Sequence, residues 1–186
     1  MQSGFSIDTA TGLLRDARQV LSPHFDERPP GMQPELIVVH GISLPPGEFG
    51  GPYIEQLFTG CLDANAHPYF TALAAMRVSS HLLVRRNGEV VQFVPFGQRA
   101  WHAGASSWQG RSSCNDFSIG IEMEGTDDGA YEPAQYQALA GLITALCAAY
   151  PTLARERVVG HSDIAPDRKT DPGPAFTWPL LRELMS

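Results

Sequence analysis

The chain has 186 residues, a length that fits one domain carrying at most a few long decorations. Its 43% hydrophobic and 18% charged residues describe a globular protein rather than a disordered or fibrous one. A net charge of −7 argues against nucleic-acid binding, which needs a basic surface, but leaves room for an anionic small ligand held by a few local arginines.

The first stretch, MQSGFSIDTATGLLRDARQV, lacks the basic start and apolar core of a secretory signal. No apolar run reaches the length of a membrane span, and the longest candidate, around GLITALCAAY, is short and interrupted. A cytoplasmic protein without a membrane partner is therefore expected. Cys61, Cys114 and Cys147 are odd in number and form no CxxC pair, which predicts reduced thiols.

In chain order, Leu13, Leu14, Ala17 and Val20 fall at helical spacing and predict a first helix. ELIVVH, 35–40, is a continuous apolar run suited to a strand buried on both faces. Ile54, Leu57 and Phe58 predict a second helix, and Phe70, Leu73 and Ala74 a third. HLLVRRNGEVVQFVP, 81–95, reads as a hairpin turning at Asn87-Gly88, both of which suit a type I′ turn. SIGIEMEG, 118–125, alternates, with Ile119, Ile121 and Met123 on one face and Gly120, Glu122 and Glu124 on the other.

The clearest helix carries Tyr136, Leu139, Ile143, Leu146 and Tyr150, with Pro133 in its first turn and Pro151 at its end. ERVVG, 156–160, is a short strand that leads into GHSDIAPDRKTDPGP, 160–174, a stretch too rich in Pro and Gly for a helix. These elements predict an α/β fold, a mixed central β-sheet flanked by α-helices. The chain, 1–186, is expected to be a single domain with 1–11 and 183–186 peripheral.

His40 ends one strand and His161 follows another, and strand ends are where α/β sheets gather ligand sites. Asp171 lies in the proline-stiffened loop after His161. Two imidazoles and one carboxylate would leave a tetrahedral Zn²⁺ with an open position, as in catalytic zinc sites. The competing reading is that these are ordinary hydrogen-bonded or solvated groups. Glu122 is the candidate proton shuttle and Glu124 its rival on the same face, unless both are exposed strand charges. Lys169 is placed to stabilise an oxyanion, unless it is an ordinary surface lysine. His102, in AWHAG, is expected to touch substrate, whereas His24 and His67 read as loop or surface groups and His81 as a satisfied, partly buried imidazole.

Four stretches carry a resemblance: VVHGISLPPGEFGGP at 38–52, RAWHAG at 99–104, CNDFSIGIEMEGT at 114–126 and GHSDIAPDRKTDPGP at 160–174. Together and in this order they resemble the zinc-dependent N-acetylmuramoyl-L-alanine amidases related to peptidoglycan recognition proteins and phage T7 lysozyme. The likeness is greatest to the cytosolic subgroup acting on 1,6-anhydromuropeptides, and it runs from about residue 12 to about 182. It implies Zn²⁺ ligands at His40, His161 and Asp171, a catalytic glutamate at Glu122 and a transition-state-stabilising lysine at Lys169. It implies a mixed sheet flanked by helices. It also implies hydrolysis of the amide between the lactyl group of anhydro-N-acetylmuramic acid and L-alanine during cell-wall recycling, which keeps β-lactamase induction low.

The subgroup commonly has Asn where this chain has Gly41, so a side-chain amide contact to substrate is expected to be missing. Arg77, Arg111 and Arg168 are candidate partners for substrate carboxylates, and Trp101 offers a flat surface to sugar or peptide. A monomer is expected. Two other classes compete: a muropeptide sensor that binds without cutting, and a cysteine hydrolase using Cys114.

Overall fold

The computed structural model describes residues 4–186. Six strands make one mixed sheet: β1 (Arg18–Gln19), β2 (Leu36–Ile42), β3 (Leu82–Val84), β4 (Val90–Gln92), β5 (Ser118–Glu124) and β6 (Val158–Gly160). Across the sheet the order is β6-β2-β5-β3-β4-β1. Every neighbouring pair is parallel except the β3–β4 hairpin. The helices are α1 (Tyr53–Phe58), α2 (Pro133–Ala149), α3 (His161–Ile164) and α4 (Trp178–Leu184). The mixed α/β architecture expected from the sequence is the one observed.

Alternation along the strands decides what each face buries. Ile37, Val39, Leu82, Val84, Ile119, Ile121 and Met123 face α2 and α4, which cover them with Leu139, Ile143, Leu146 and Leu181. On the opposite face, Leu83 and Val91 pack with Leu57, Phe58 and Phe70, while Leu36 and Val38 pack with Ala103, Phe117 and Ile164. The buried Gln135 ties α2 to the sheet, its amide donating to the carbonyls of Val84 (3.2 Å) and Glu124 (3.0 Å). No described helix is long and apolar enough to cross a membrane.

Four expectations need correction. No helix forms over 13–20. Gly12, at φ +72°, turns the chain, and Leu13–Leu14 then pairs with Ile7–Asp8. Leu14 donates to the Gln92 side chain at 2.7 Å, so contacts distant in sequence override a helical spacing too short to hold a helix alone. At 70–74 there is only the 3₁₀ turn Pro68–Phe70 followed by further turns.

The β3–β4 connection is not type I′. Of its central residues only Gly88 has positive φ (+85°), and the Gly88 N–H donates to Arg85 O at 2.8 Å, the pattern of a three-residue loop with a left-handed glycine. Finally, the proline-rich 160–174 stretch does open with one helical turn, α3, before its prolines begin. At the ends, Met185 lies in the core and Phe5 and Ile7 pack against it.

Leu139 is fully buried at the centre of the α2–sheet contact. Leu139→Ala should cost about 2–5 kcal/mol of unfolding free energy in a denaturant titration.

Candidate metal centre and cleft

Register builds the site. The parallel β2–β5 ladder pairs His40 with Glu122, and the β6–β2 ladder pairs Gly160 with Val39, which delivers His161 beside His40. The loop after α3 folds back: the Ser162 N–H donates to Asp171 O at 3.0 Å, and the Tyr131 hydroxyl donates to Pro172 O at 2.9 Å. The outcome is a triangle of ligand atoms. His40 Nδ1 lies 2.9 Å from His161 Nδ1 and 3.3 Å from Asp171 Oδ2, and His161 Nδ1 lies 3.1 Å from Asp171 Oδ2. The edge of a tetrahedron with bonds of about 2.0–2.1 Å is roughly 3.3–3.4 Å, so these three atoms fit three corners around a Zn²⁺-sized ion.

The chemistry of the donors fits as well. His161 Nε2 faces the Ala103 carbonyl at 3.2 Å. A carbonyl only accepts, so a neutral His161 carries its proton on Nε2 and turns the Nδ1 lone pair inward. Burial lowers the His40 imidazole to about 4, which keeps it neutral at physiological pH. Two neutral imidazoles and a carboxylate are a divalent-metal donor set.

Glu122 and Lys169 line the same cleft, of about 530 Å³, as the triangle. Glu122 is 8% exposed, and its side chain makes no hydrogen bond among the described residues. Burial first, and then the Asp171 carboxylate, push its pKa well above the ordinary value, while Lys169 opposes them. Lys169 makes no ion pair among the described residues. Glu124, the rival acid on the same strand face, is spent on structure. It is 1% exposed and accepts from Arg85 Nη1 (2.9 Å), Gly50 N–H (2.7 Å) and Arg86 N–H (3.1 Å). The reading of both glutamates as exposed strand charges is therefore overturned.

Other expected contacts sort by geometry. Trp101 lines the cleft, with its indole N–H donating to Asp26 Oδ1 at 3.1 Å. His102 also lines it, but Nδ1 meets His40 and Nε2 meets Ser118, so its ring nitrogens are engaged by the protein rather than open to substrate. Arg77 is exposed between two cleft residues, Met76 and Val78. Arg111 is drawn elsewhere, bonded to Glu35 at 2.7 Å and stacked over Phe117. Arg168 caps the loop carbonyls of Ala103 (2.6 Å) and Ala105 (3.0 Å).

His81 is the satisfied imidazole expected, fully buried, accepting from Gly120 N–H at 3.0 Å. His24 and His67 line no part of the cleft. The Cys114 thiol is buried and its pKa is pushed up, against a nucleophilic role.

Tyr131 and Ser118 were not singled out from the sequence, since nothing in their local context marks them. A Cβ on Gly41 would lie 2.5 Å from the Tyr131 hydroxyl, so the glycine lets that hydroxyl close against the loop at Pro172.

The family model for N-acetylmuramoyl-L-alanine amidase matches residues 30–174. The chain belongs to the N-acetylmuramoyl-L-alanine amidase family. This amidase is 62% identical to the Escherichia coli (strain K12) 1,6-anhydro-N-acetylmuramyl-L-alanine amidase AmpD over 94% of its length and 95% of the relative's. A crystal structure of a selenomethionine AmpD derivative superposes with a TM-score of 0.93 at 60% identity, covering 97% of this chain and 99% of that one. The amidase AmiD from E. coli, solved with anhydro-N-acetylmuramic acid-L-Ala-D-γ-Glu-L-Lys, matches at a TM-score of 0.59 and 30% identity, covering 98% of this chain and 66% of that one.

The contrast between the two glutamates is measurable. Glu124→Ala should destabilise the fold by about 1–3 kcal/mol in a denaturant titration, because the Gly50 and Arg86 N–H groups lose their acceptor while Arg85 keeps Glu55. Glu122→Gln in metal-free protein should raise the melting temperature near pH 7. A carboxyl whose folded pKa is raised costs stability only once the pH exceeds its unfolded value, so the gain should vanish at about pH 4.

Proposed function

We propose that this amidase uses Zn²⁺ to hydrolyse the amide between the lactyl group of 1,6-anhydro-N-acetylmuramic acid and L-alanine in muropeptides. The observation that carries the reading is the convergence of His40 Nδ1, His161 Nδ1 and Asp171 Oδ2 in the cleft that also holds Glu122 and Lys169. The names and substrates of the relatives support the choice of bond and the anhydro sugar. His40, His161 and Asp171 would hold the ion. When bound, it polarises the scissile carbonyl and makes a nearby water more acidic.

The remaining steps belong to the chain. Glu122, unpaired and with a raised pKa, accepts the proton of the attacking water on a carboxylate oxygen and returns it to the departing alanine nitrogen. The Lys169 ammonium, lining the same cleft, stabilises the oxyanion as the carbonyl becomes tetrahedral. Trp101, its edge tied to Asp26, presents a fixed flat surface to sugar or peptide. Arg77, beside the cleft, is the arginine left to receive a stem-peptide carboxylate, now that Arg111 and Arg168 are engaged by the protein.

The same reading makes the chain one amidase domain, monomeric and without nucleic-acid or membrane partners. It places the enzyme in the cytoplasm, where clearing anhydromuropeptides during cell-wall recycling limits β-lactamase induction. The resemblance to the 1,6-anhydro subgroup supports this setting.

The test is chromatographic assay of free anhydromuramic acid from anhydromuropeptide, alongside metal analysis. Activity should disappear on chelation and return with Zn²⁺. Glu122→Ala should abolish turnover and keep the metal, whereas Asp171→Ala should lose the metal. Full activity after chelation, or near-normal turnover in Glu122→Ala, would refute the proposal.

A further inference from the structure

The orientation of His161 is set by a backbone carbonyl, but His40 has no such partner. Its Nε2 lies 2.8 Å from His102 Nδ1, a contact between two rings in which either nitrogen could hold the proton. The direction is settled further along. Ser118 Oγ donates to the Cys114 carbonyl at 2.6 Å. A hydroxyl has one proton, so towards His102 Nε2, 3.1 Å away, Ser118 can only accept. His102 Nε2 therefore carries hydrogen and, in a neutral ring, His102 Nδ1 does not. His40 Nε2 must then be the donor to His102, and His40 Nδ1 is left as a bare lone pair in the triangle with His161 and Asp171.

We propose that His102 is a positioning residue which, anchored by Ser118 and the Cys114 carbonyl, fixes the Nε2–H form of His40 and so aims its Nδ1 lone pair at the metal. The local sequence is built for this relay. Asn115 Oδ1 accepts from the backbone N–H groups of His102 (3.1 Å) and Ala103 (2.8 Å), pinning the segment that serves both metal-binding imidazoles. Gly120, in the middle of a buried strand, leaves the space the ring occupies, since a Cβ there would lie 2.5 Å from His102 Cγ. Ser118 and Gly120 share one face of β5 with Glu122, so a single strand supplies the anchor, the gap and the acid. With both imidazoles presenting lone pairs to a carboxylate oxygen, no proton remains to bridge the triangle, and a cation is what relieves it.

The inference rests on the Zn²⁺ reading for its consequence but not for the ring form itself, so the test has two readouts. Nitrogen-15 NMR of the metal-free protein should find His40 protonated on Nε2 and bare on Nδ1. Zinc affinity, measured by competition with a chromophoric chelator, should fall about 10–100-fold in His102→Phe, which keeps the ring's bulk but offers no acceptor. His102→Gln, whose carbonyl can accept, should recover much of that loss, which filling the space alone would not do. Ser118→Ala gives the same readout without touching a ring, and should also weaken zinc. A His40 protonated on Nδ1, or wild-type zinc affinity in both His102→Phe and Ser118→Ala, would overturn the proposal. A wild-type protein that binds no zinc would overturn the zinc reading instead, and the His40 ring form would then decide the positioning role alone.

Discussion

The parallel register of β2 against β5 is the constraint on which the rest depends. It places His40 opposite Glu122 in the interior of the sheet, with every residue of β5 buried. A slip of β5 by one residue would turn Glu122 towards α2 and the core and bring apolar groups into the cleft beside His40. Register in such a strand is held by its apolar face, here Ile119, Ile121 and Met123. The hydrophobic pattern that forms the core thus also sets the position of the chemistry.

Within that frame, two carboxylates two residues apart are given opposite roles by their surroundings. Glu124 is surrounded by donors and holds the segment around Gly50 against the sheet. Glu122 has no side-chain partner and lines the cleft, so its proton is held more tightly. The cost of burying an unpaired acid is a stability penalty kept for function. The imidazoles obey the same logic: a backbone carbonyl fixes His161, and a side-chain relay fixes His40.

Much of this was legible in the sequence, and what failed did so for physical reasons. The buried strand 36–42, the alternating strand 118–124 and helix 133–149 carry long, unambiguous apolar patterns. The segment 13–20 imitates a helix, yet its leucines pair with Ile7–Asp8 and with Gln92, contacts that spacing does not encode. Residue type and strand position pointed to His40, His161, Asp171 and Glu122, and the resemblance gave them roles. The arginines were harder, since the sequence does not show that Glu35 engages Arg111 or that loop carbonyls engage Arg168. For His102 the sequence does not show the partners of its ring. His102 lines the cleft, but what its ring touches is another histidine and a serine sixteen residues away.

The most direct test of the metal centre is X-ray absorption spectroscopy at the zinc edge of the loaded protein. The account predicts a four-coordinate ion with two imidazole nitrogens at about 2.0–2.1 Å and the remaining ligands oxygen at about 2.0–2.2 Å. A sulfur scatterer at about 2.3 Å, or a spectrum with fewer than two imidazoles, would contradict it.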